Sequence, residues 1–304
     1  MNVDLHQHIW TAPLIEGLAA RSALPYAEVH GHTAVLHAAG ERPSAIDVSS
    51  QGAERRTRLL DDDEVDLAVI ALSSPIGIEA LPHDEATALI DAHLEGVAQL
   101  GARFAAWGPL ALDQAEPDDV DALLARGCIG VSLPAGALDT PTRLAALGPV
   151  LERIADRDVP LFVHPGPGRA QRTAEAPADE PPWWAAVTGY VAQMQAAWFA
   201  FATAGRRDHP DLTILFSMLA GGAPLLSERL GTRGGPDINL RDPLTYYDTS
   251  SYGPAAVEAT ARRIGTSRLV YGSDRPVLEP LPTGREAMLL STAAELLTPV
   301  RLAA

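Results

Sequence analysis

Short apolar runs alternate with amphipathic stretches along most of the chain. Runs rich in β-branched residues predict eight strands, at residues 3–8, 66–73, 103–110, 128–134, 159–164, 212–219, 244–249 and 268–274. Between them, apolar residues recur at helical spacing, as at Ile90, Leu94 and Val97. This alternation predicts an α/β fold of the (β/α)8 type, a TIM barrel. A doubly wound open sheet is the alternative, but no glycine-rich phosphate turn follows any strand.

Two segments interrupt the alternation of strands and helices. Residues 24–58 follow the first predicted strand and have the pattern of a small β-rich insertion. Residues 165–190 follow the fifth strand and are rich in proline, glycine and alanine, which predicts a cover loop. In a barrel, loops after strands lie at the mouth, so both segments are expected to lie over it. We interpret residues 1–304 as a single domain with these two insertions.

The charge of the chain excludes several classes of partner. It has 39 acidic and 23 basic residues, a net charge of −16, which disfavours nucleic acid and anionic membranes as partners. Every basic residue is an arginine, so a Schiff-base lysine, a P-loop and a carboxylated lysine between two metals are excluded. A single cysteine, Cys128, and the lack of a signal peptide or membrane-length apolar run predict a cytoplasmic protein. A small-molecule substrate is expected, and self-association into a homo-oligomer stays open.

Histidines and an aspartate occur where predicted strands end. His6 and His8 are two residues apart in the first strand, so their side chains share a face. His164 ends the run LFVH, and Asp274 ends LVYGSD. Together they predict a mononuclear site for a divalent metal at the barrel mouth, with an open position for water. The pair in His30-Gly31-His32 has the same spacing, but its surroundings predict an exposed hairpin instead.

Five motifs carry a resemblance to a known family: DLHQH, VHPG, AGGAPLLSERL, YDTS and LVYGSDRP. With these the chain resembles the amidohydrolase superfamily, in the amidohydrolase-related branch that includes aminocarboxymuconate-semialdehyde decarboxylase. The resemblance implies a (β/α)8 barrel with one divalent metal held by His6, His8, His164 and Asp274. Zinc is the expected metal, with manganese or iron as alternatives. Members of the family are hydrolases or nonoxidative decarboxylases.

The chain departs from the family pattern at the end of strand six. Family members have a histidine there, in His-x-Gly-Gly, which orients or deprotonates the metal-bound water. Here the stretch reads FSMLAGGAP, and Leu219 occupies that position. Asp274 is then the only matched residue able to act as a base, so we identify it as the candidate catalytic residue.

Three residues near the predicted mouth are candidates for substrate binding. Trp10 and Tyr252 would form an aromatic floor, although packing of the cover segments explains them equally well. Arg275 follows Asp274 and would pair a substrate carboxylate through two hydrogen bonds. A salt bridge within the barrel rim is the alternative role for its guanidinium.

Four functions remain open at this level. The first expectation is metal-dependent hydrolysis of a small, cyclic or carboxylated substrate through a metal-activated water. Nonoxidative decarboxylation is the alternative within the same family. A barrel that has lost turnover and serves in binding or regulation is the third, favoured by Leu219. A metal-free lactonase using the same histidines and aspartate is the fourth.

Overall fold

The computed structural model describes residues 1–169 and 174–297. Each of the eight predicted apolar runs contains a strand. The strands are β1 Val3–Gln7, β2 Tyr26–His30, β3 Thr33–His37, β4 Ser44–Asp47, β5 Leu67–Ile70, β6 Phe104–Ala106, β7 Gly108–Pro109, β8 Val131–Pro134, β9 Leu161–His164, β10 Ile214–Phe216, β11 Thr245–Asp248 and β12 Leu269–Val270.

Helices follow most of these strands, as the alternating pattern predicts. They are α1 Ala12–Ala19, α2 Ala53–Asp62, α3 His83–Ala98, α4 Pro117–Ala125, α5 Pro141–Ala146, α6 Gly148–Asp156, α7 Trp184–Val187, α8 Gly189–Ala200, α9 Arg206–Asp208, α10 Ser227–Thr232, α11 Pro254–Ile264 and α12 Glu286–Leu296. None of the helices in the described part of the chain is both long and apolar enough to cross a membrane.

Nine strands form two parallel sheets, in the orders β1-β5-β6 and β7-β8-β9-β10-β11-β12. Only Trp107 separates β6 from β7 along the chain. At the other edges, the N–H of Leu5 donates to the carbonyl of Tyr271 (3.1 Å), and the N–H of His8 donates to that of Arg275 (2.7 Å). β1 and the residue after it are therefore joined by backbone hydrogen bonds to the segment that follows β12, and the carboxyl ends of all nine strands point the same way.

Two apolar clusters cover the parallel strands. The smaller one takes alternate residues of several strands, among them Leu5, Val69 and Phe162, together with Trp107, and α12 packs Leu296 against it. Trp107 is fully buried, and its indole N–H donates to the carbonyl of Leu5 (2.8 Å). The larger cluster lies between the strands and the surrounding helices. Each large apolar side chain buried here contributes about 1.5–3 kcal/mol.

The β-rich insertion contains an antiparallel sheet of three strands, in the order β2-β3-β4. This sheet contacts the cover loop through the backbone. The N–H of Gly40 donates to the carbonyl of Ala174 (2.9 Å), and the N–H of Ala176 donates to that of Glu41 (3.0 Å). The cover loop was predicted to span 165–190, and its residues 170–173 lie outside the described part of the chain.

His93 lies on α3, and its side chain is fully buried. Neither ring nitrogen has a hydrogen-bond partner among the described residues. Burial, and after it the charge of His8, lowers the pKa of His93 to about 3. The imidazole is therefore neutral and acts as part of the packing.

Glu79 is a buried acid whose ionisation is expected to cost stability. Its carboxyl is fully buried and accepts a hydrogen bond from the Ser74 hydroxyl, and burial raises its pKa to about 7. The unfolded chain ionises near pH 4.5, so the acid's stabilising contribution is present below that pH and is lost as pH rises to about 7. The loss is about 3 kcal/mol.

We expect Glu79→Gln to remove this pH dependence. Urea unfolding at several pH values should show the free energy of unfolding of wild type falling by about 3 kcal/mol relative to the variant between pH 4.5 and 7.5. Glu85→Gln is the control, because Glu85 is half exposed and paired with Arg21. A difference between wild type and Glu79→Gln that stays constant with pH would contradict the prediction.

Candidate metal centre

Three buried imidazoles meet at the carboxyl ends of β1 and β9. His6, His8 and His164 each offer one ring nitrogen, and these three atoms lie within 4.8 Å of one another. The Nε2 atoms of His6 and His8 are 3.1 Å apart. The three rings meet edge to face, with centroids 4.9 Å apart in each pair. No other cluster of three such donors occurs in the part of the chain that the structure describes.

The opposite nitrogen of each ring is held by an acceptor. Nδ1 of His8 lies 2.9 Å from the carbonyl oxygen of Ala71, and Nδ1 of His164 lies 2.9 Å from that of Pro165. A carbonyl only accepts, so each Nδ1 carries the hydrogen and each Nε2 presents a lone pair to the centre. Burial, and then the charges of His8 and His6, lowers the pKa of His164, which keeps it neutral. Neutral imidazole is the form that binds metal.

Asp248, at the end of β11, is the acceptor that faces Nδ1 of His6. Its Oδ2 lies 2.8 Å from Nδ1 of His6, and both side chains are buried. Its Oδ1 accepts from the N–H of Met218 (2.9 Å), the N–H of Ser250 (3.0 Å) and the hydroxyl of Ser250 (2.5 Å). A carboxylate behind a ligand histidine fixes the ring and raises its basicity. Sequence reasoning missed this residue, although the YDTS motif at a strand end contained the signal.

Asp274 brings the fourth predicted group to the centre. Its Oδ1 lies 3.3 Å from Nε2 of His8 and 3.7 Å from Nε2 of His6, and its N–H donates to the carbonyl of His6 (2.8 Å). Burial acts to raise the pKa of Asp274, but the hydrogen bond with His8 and the charges that His6 and His8 carry when protonated outweigh it and lower the pKa. The structure thus places all four predicted ligands together. Once the three imidazoles are neutral, their nitrogens and one carboxylate oxygen form a donor set that fits a divalent ion such as zinc or manganese.

The loop after β10 follows an unusual path. Residues 218–222 all have a positive φ, between 50° and 75°. Only glycine adopts this conformation without strain, and each of the three other residues costs about 1–2 kcal/mol. At Gly221 a side chain would collide with the carbonyl oxygen of Val191, at 2.7 Å. Leu219 is buried in the larger apolar cluster, so this position supplies no proton acceptor.

The three candidate substrate-binding residues have different surroundings. The Trp10 ring is centred 6.3 Å from the His8 ring. Tyr252 is partly buried and packs against the larger apolar cluster. The guanidinium of Arg275 pairs with Asp63, at 2.5 Å and 3.0 Å, and its Nη1 pairs with Glu279 at 2.7 Å. These ion pairs match the alternative role given above for Arg275, a salt bridge within the rim. A role in substrate binding stays a prediction for Trp10, Tyr252 and Arg275.

A cavity of about 540 Å³ lies near the centre, although none of the four candidate ligands is among its described lining residues. Trp10 and Ser73 line it on one side, and Pro276 and Val277, directly after the Asp274 loop, line it on another. The β-rich insertion and the cover loop form the rest of the wall. Its size suits a small ring compound.

Comparison with known proteins shows the fold. No family model and no curated protein sequence matches the chain. Among solved structures, 5-carboxyvanillate decarboxylase LigW from Sphingomonas paucimobilis has a TM-score of 0.71 at 18% identity, covering 97% of this chain and 98% of its own. IDCase from Metarhizium anisopliae has a TM-score of 0.70 at 20% identity, covering 99% and 91%.

A third similar structure contains a metal. It is dihydroxybenzoic acid decarboxylase from Polaromonas sp. JS666 with bound manganese and the inhibitor 2-nitroresorcinol, with a TM-score of 0.66 at 16% identity, covering 97% and 96%. The predicted resemblance is thereby confirmed at the level of the fold, since the chain shares the fold of these enzymes over nearly its whole length.

We predict that Asp248→Asn weakens metal binding without unfolding the protein. The neutral amide no longer raises the basicity of His6, so affinity for manganese or zinc should fall about 10- to 100-fold. Competition with a chromophoric chelator measures this. Asp242→Asn is the matched control, because Asp242 precedes the same strand and pairs with Arg206 instead. Equal affinities for the Asp248 variant and wild type would show that the hydrogen bond has no part in metal binding.

Proposed function

We propose that this chain, which has the fold of the amidohydrolase-type decarboxylases, is a metal-dependent enzyme that removes CO₂ from a small carboxylic acid without an oxidant. The parallel strands would close into a (β/α)8 barrel through the hydrogen bonds that join β1 to the segment after β12. The observation that carries the proposal is the convergence of four metal-binding groups at the strand ends of such a fold. A cytoplasmic location and self-association stay predictions.

His6, His8, His164 and Asp274 would hold one divalent metal. When bound, it would supply a concentrated positive charge that binds and polarises an oxygen of the substrate. Zinc was the expectation from the ligand types, and manganese has equal support, because it is bound in the Polaromonas enzyme. The cavity beside the centre would hold the rest of the substrate away from water.

The side chains of the loop after β10, the sixth strand predicted from the sequence, favour decarboxylation over hydrolysis. Hydrolysis requires a base that takes a proton from water. The buried apolar side chain of Leu219 stands where the family has that base, so Asp274, itself a candidate metal ligand, would have to do this alone. Decarboxylation breaks one carbon–carbon bond, leaves the electron pair on the substrate carbon and consumes a proton there. The pKa of Asp274 is lowered, so its carboxylate would take this proton from solvent and pass it to the carbon. Hydrolysis, our first expectation from the sequence, is therefore kept as the second candidate.

Metal content gives the first test of the proposal. Protein purified without a histidine tag should contain close to one manganese, zinc or iron per chain by elemental mass spectrometry. The double variant His6→Ala, His8→Ala should contain none. The matching control is His30→Ala, His32→Ala, which alters a pair of the same spacing on the exposed hairpin between β2 and β3. A wild-type protein that stays free of metal after reconstitution would contradict a metalloenzyme and leave the metal-free lactonase.

Turnover gives the second test. Metal-loaded protein should release CO₂ from one or more hydroxybenzoic acids, with 5-carboxyvanillate and 2,6-dihydroxybenzoate as the first compounds. Asp274→Asn should lower the rate by about 10²–10⁴, the usual contribution of a positioned acid or base. Asp208→Asn, on an exposed ion pair with Arg207, should leave the rate unchanged. Release of acid from lactones or esters without CO₂ would instead establish the hydrolase, and inactivity on both panels would favour the binding or regulatory barrel.

A further inference from the structure

A strained turn lies beside the candidate catalytic carboxylate. The chain reverses after β11 in a turn closed by the N–H of Tyr252, which donates to the carbonyl of Thr249 (3.2 Å). Ser251 is the third residue of this turn and has a φ of 66°. That position of a type II turn favours glycine, because a side chain strains a left-handed backbone. Strain of this kind persists where the surroundings require it, and it clusters at functional sites.

The side chain of Ser251 faces Asp274. Its Oγ donates to Oδ2 of Asp274 over 3.5 Å, whereas Oδ1 of the same carboxylate lies 3.3 Å from Nε2 of His8. The two oxygens of Asp274 therefore have different surroundings, with the imidazoles beside one and the turn beside the other. Asp274 also has a positive φ, of 61°, so two strained residues meet at this contact.

Both sides of the contact are tied to the strand that carries His6 and His8. On the side of the turn, Oδ1 of Asp248 accepts from the N–H of Ser250 (3.0 Å) and from its hydroxyl (2.5 Å), while Oδ2 faces His6. Ser250 is buried, and Ser251, next to it, is exposed. On the other side, the N–H of Asp274 donates to the carbonyl of His6 (2.8 Å). The distance between the turn and the carboxylate is thus set by β1.

We propose that Ser251 is a positioning residue that holds Oδ2 of Asp274, so that the carboxylate meets the metal through Oδ1 alone. This rests on the metal site of the proposed function and is independent of which acid loses CO₂. A carboxylate binds a metal through one oxygen or through two. A second carboxylate oxygen on the metal would fill the open position that a catalytic site keeps for its substrate. The Ser251 hydroxyl keeps that position free.

Two variants separate the hydroxyl from the backbone strain. Ser251→Gly removes the hydroxyl and relieves the strain, whereas Ser251→Ala removes the hydroxyl and keeps the strain. Both should bind manganese about tenfold more weakly than wild type in competition with a chromophoric chelator. This is the low end of the effect of a hydrogen-bond partner behind a metal ligand, because the contact is long. In thermal melts, Ser251→Gly should unfold at a higher temperature than Ser251→Ala.

Cobalt(II) gives a readout that a change in stability alone does not alter. Its visible absorption weakens as more ligand atoms bind, so both variants, fully loaded with cobalt, should absorb less than wild type. Ser49→Ala is the matched control, because the exposed Ser49 donates its hydroxyl to a carboxylate of the β-rich insertion, that of Asp47 (2.6 Å). This variant should keep the manganese affinity and the cobalt spectrum of wild type.

Three results would overturn the proposed role of Ser251. They are a manganese affinity equal to that of wild type in both variants, an unchanged cobalt spectrum, and a loss of affinity in Ser251→Ala that Ser251→Gly does not share. The last result would make backbone strain responsible instead of the hydroxyl. Each of them would leave the proposed function intact, whereas a wild-type protein that binds no metal would contradict the proposed function and this role together.

Discussion

The candidate site depends on one constraint, the capture of each histidine Nδ1 by an oxygen. An imidazole presents a lone pair only on the nitrogen that lacks a hydrogen, and the acceptor on the other side decides which nitrogen that is. For His8 and His164 the acceptors are carbonyls of the strand ends themselves. The backbone that builds the parallel sheet therefore also sets the chemistry of the rings. Three lone pairs converge because the carboxyl ends of β1 and β9, which carry the three histidines, converge.

His6 differs, because its acceptor is a side chain from far along the sequence. Asp248 bonds His6 with one oxygen and the N–H of Met218 with the other. It thus connects β1, β11 and the first residue of the left-handed loop after β10. The strain of that loop is balanced in part by this hydrogen bond and by the amide contact of Gln195 with Gly221. Asp248 therefore holds both the His6 ring and the loop after β10 in place.

The sequence predicts those features that depend on local pattern. Strands follow from β-branched apolar runs, and the ligand positions follow from polar residues placed where such runs end. Contacts between distant segments are beyond this reasoning, as His6 and Asp248 are 242 positions apart. The same applies to the burial of His93 and to the ion pairs of Arg275. Each requires knowing which helix or loop lies opposite, which periodicity on one element does not contain.

The ligands are distributed unevenly along the chain, and this has a consequence for biosynthesis. His6 and His8 are translated before the rest of the site, and Asp274 follows more than 260 residues later. Before then, the two histidines have neither the Asp248 carboxylate that orients His6 nor the fourth ligand. The complete site therefore forms only after the segment that carries Asp274 has been translated. A metal held by all four groups would then enter after β1 has met the segment that follows β12.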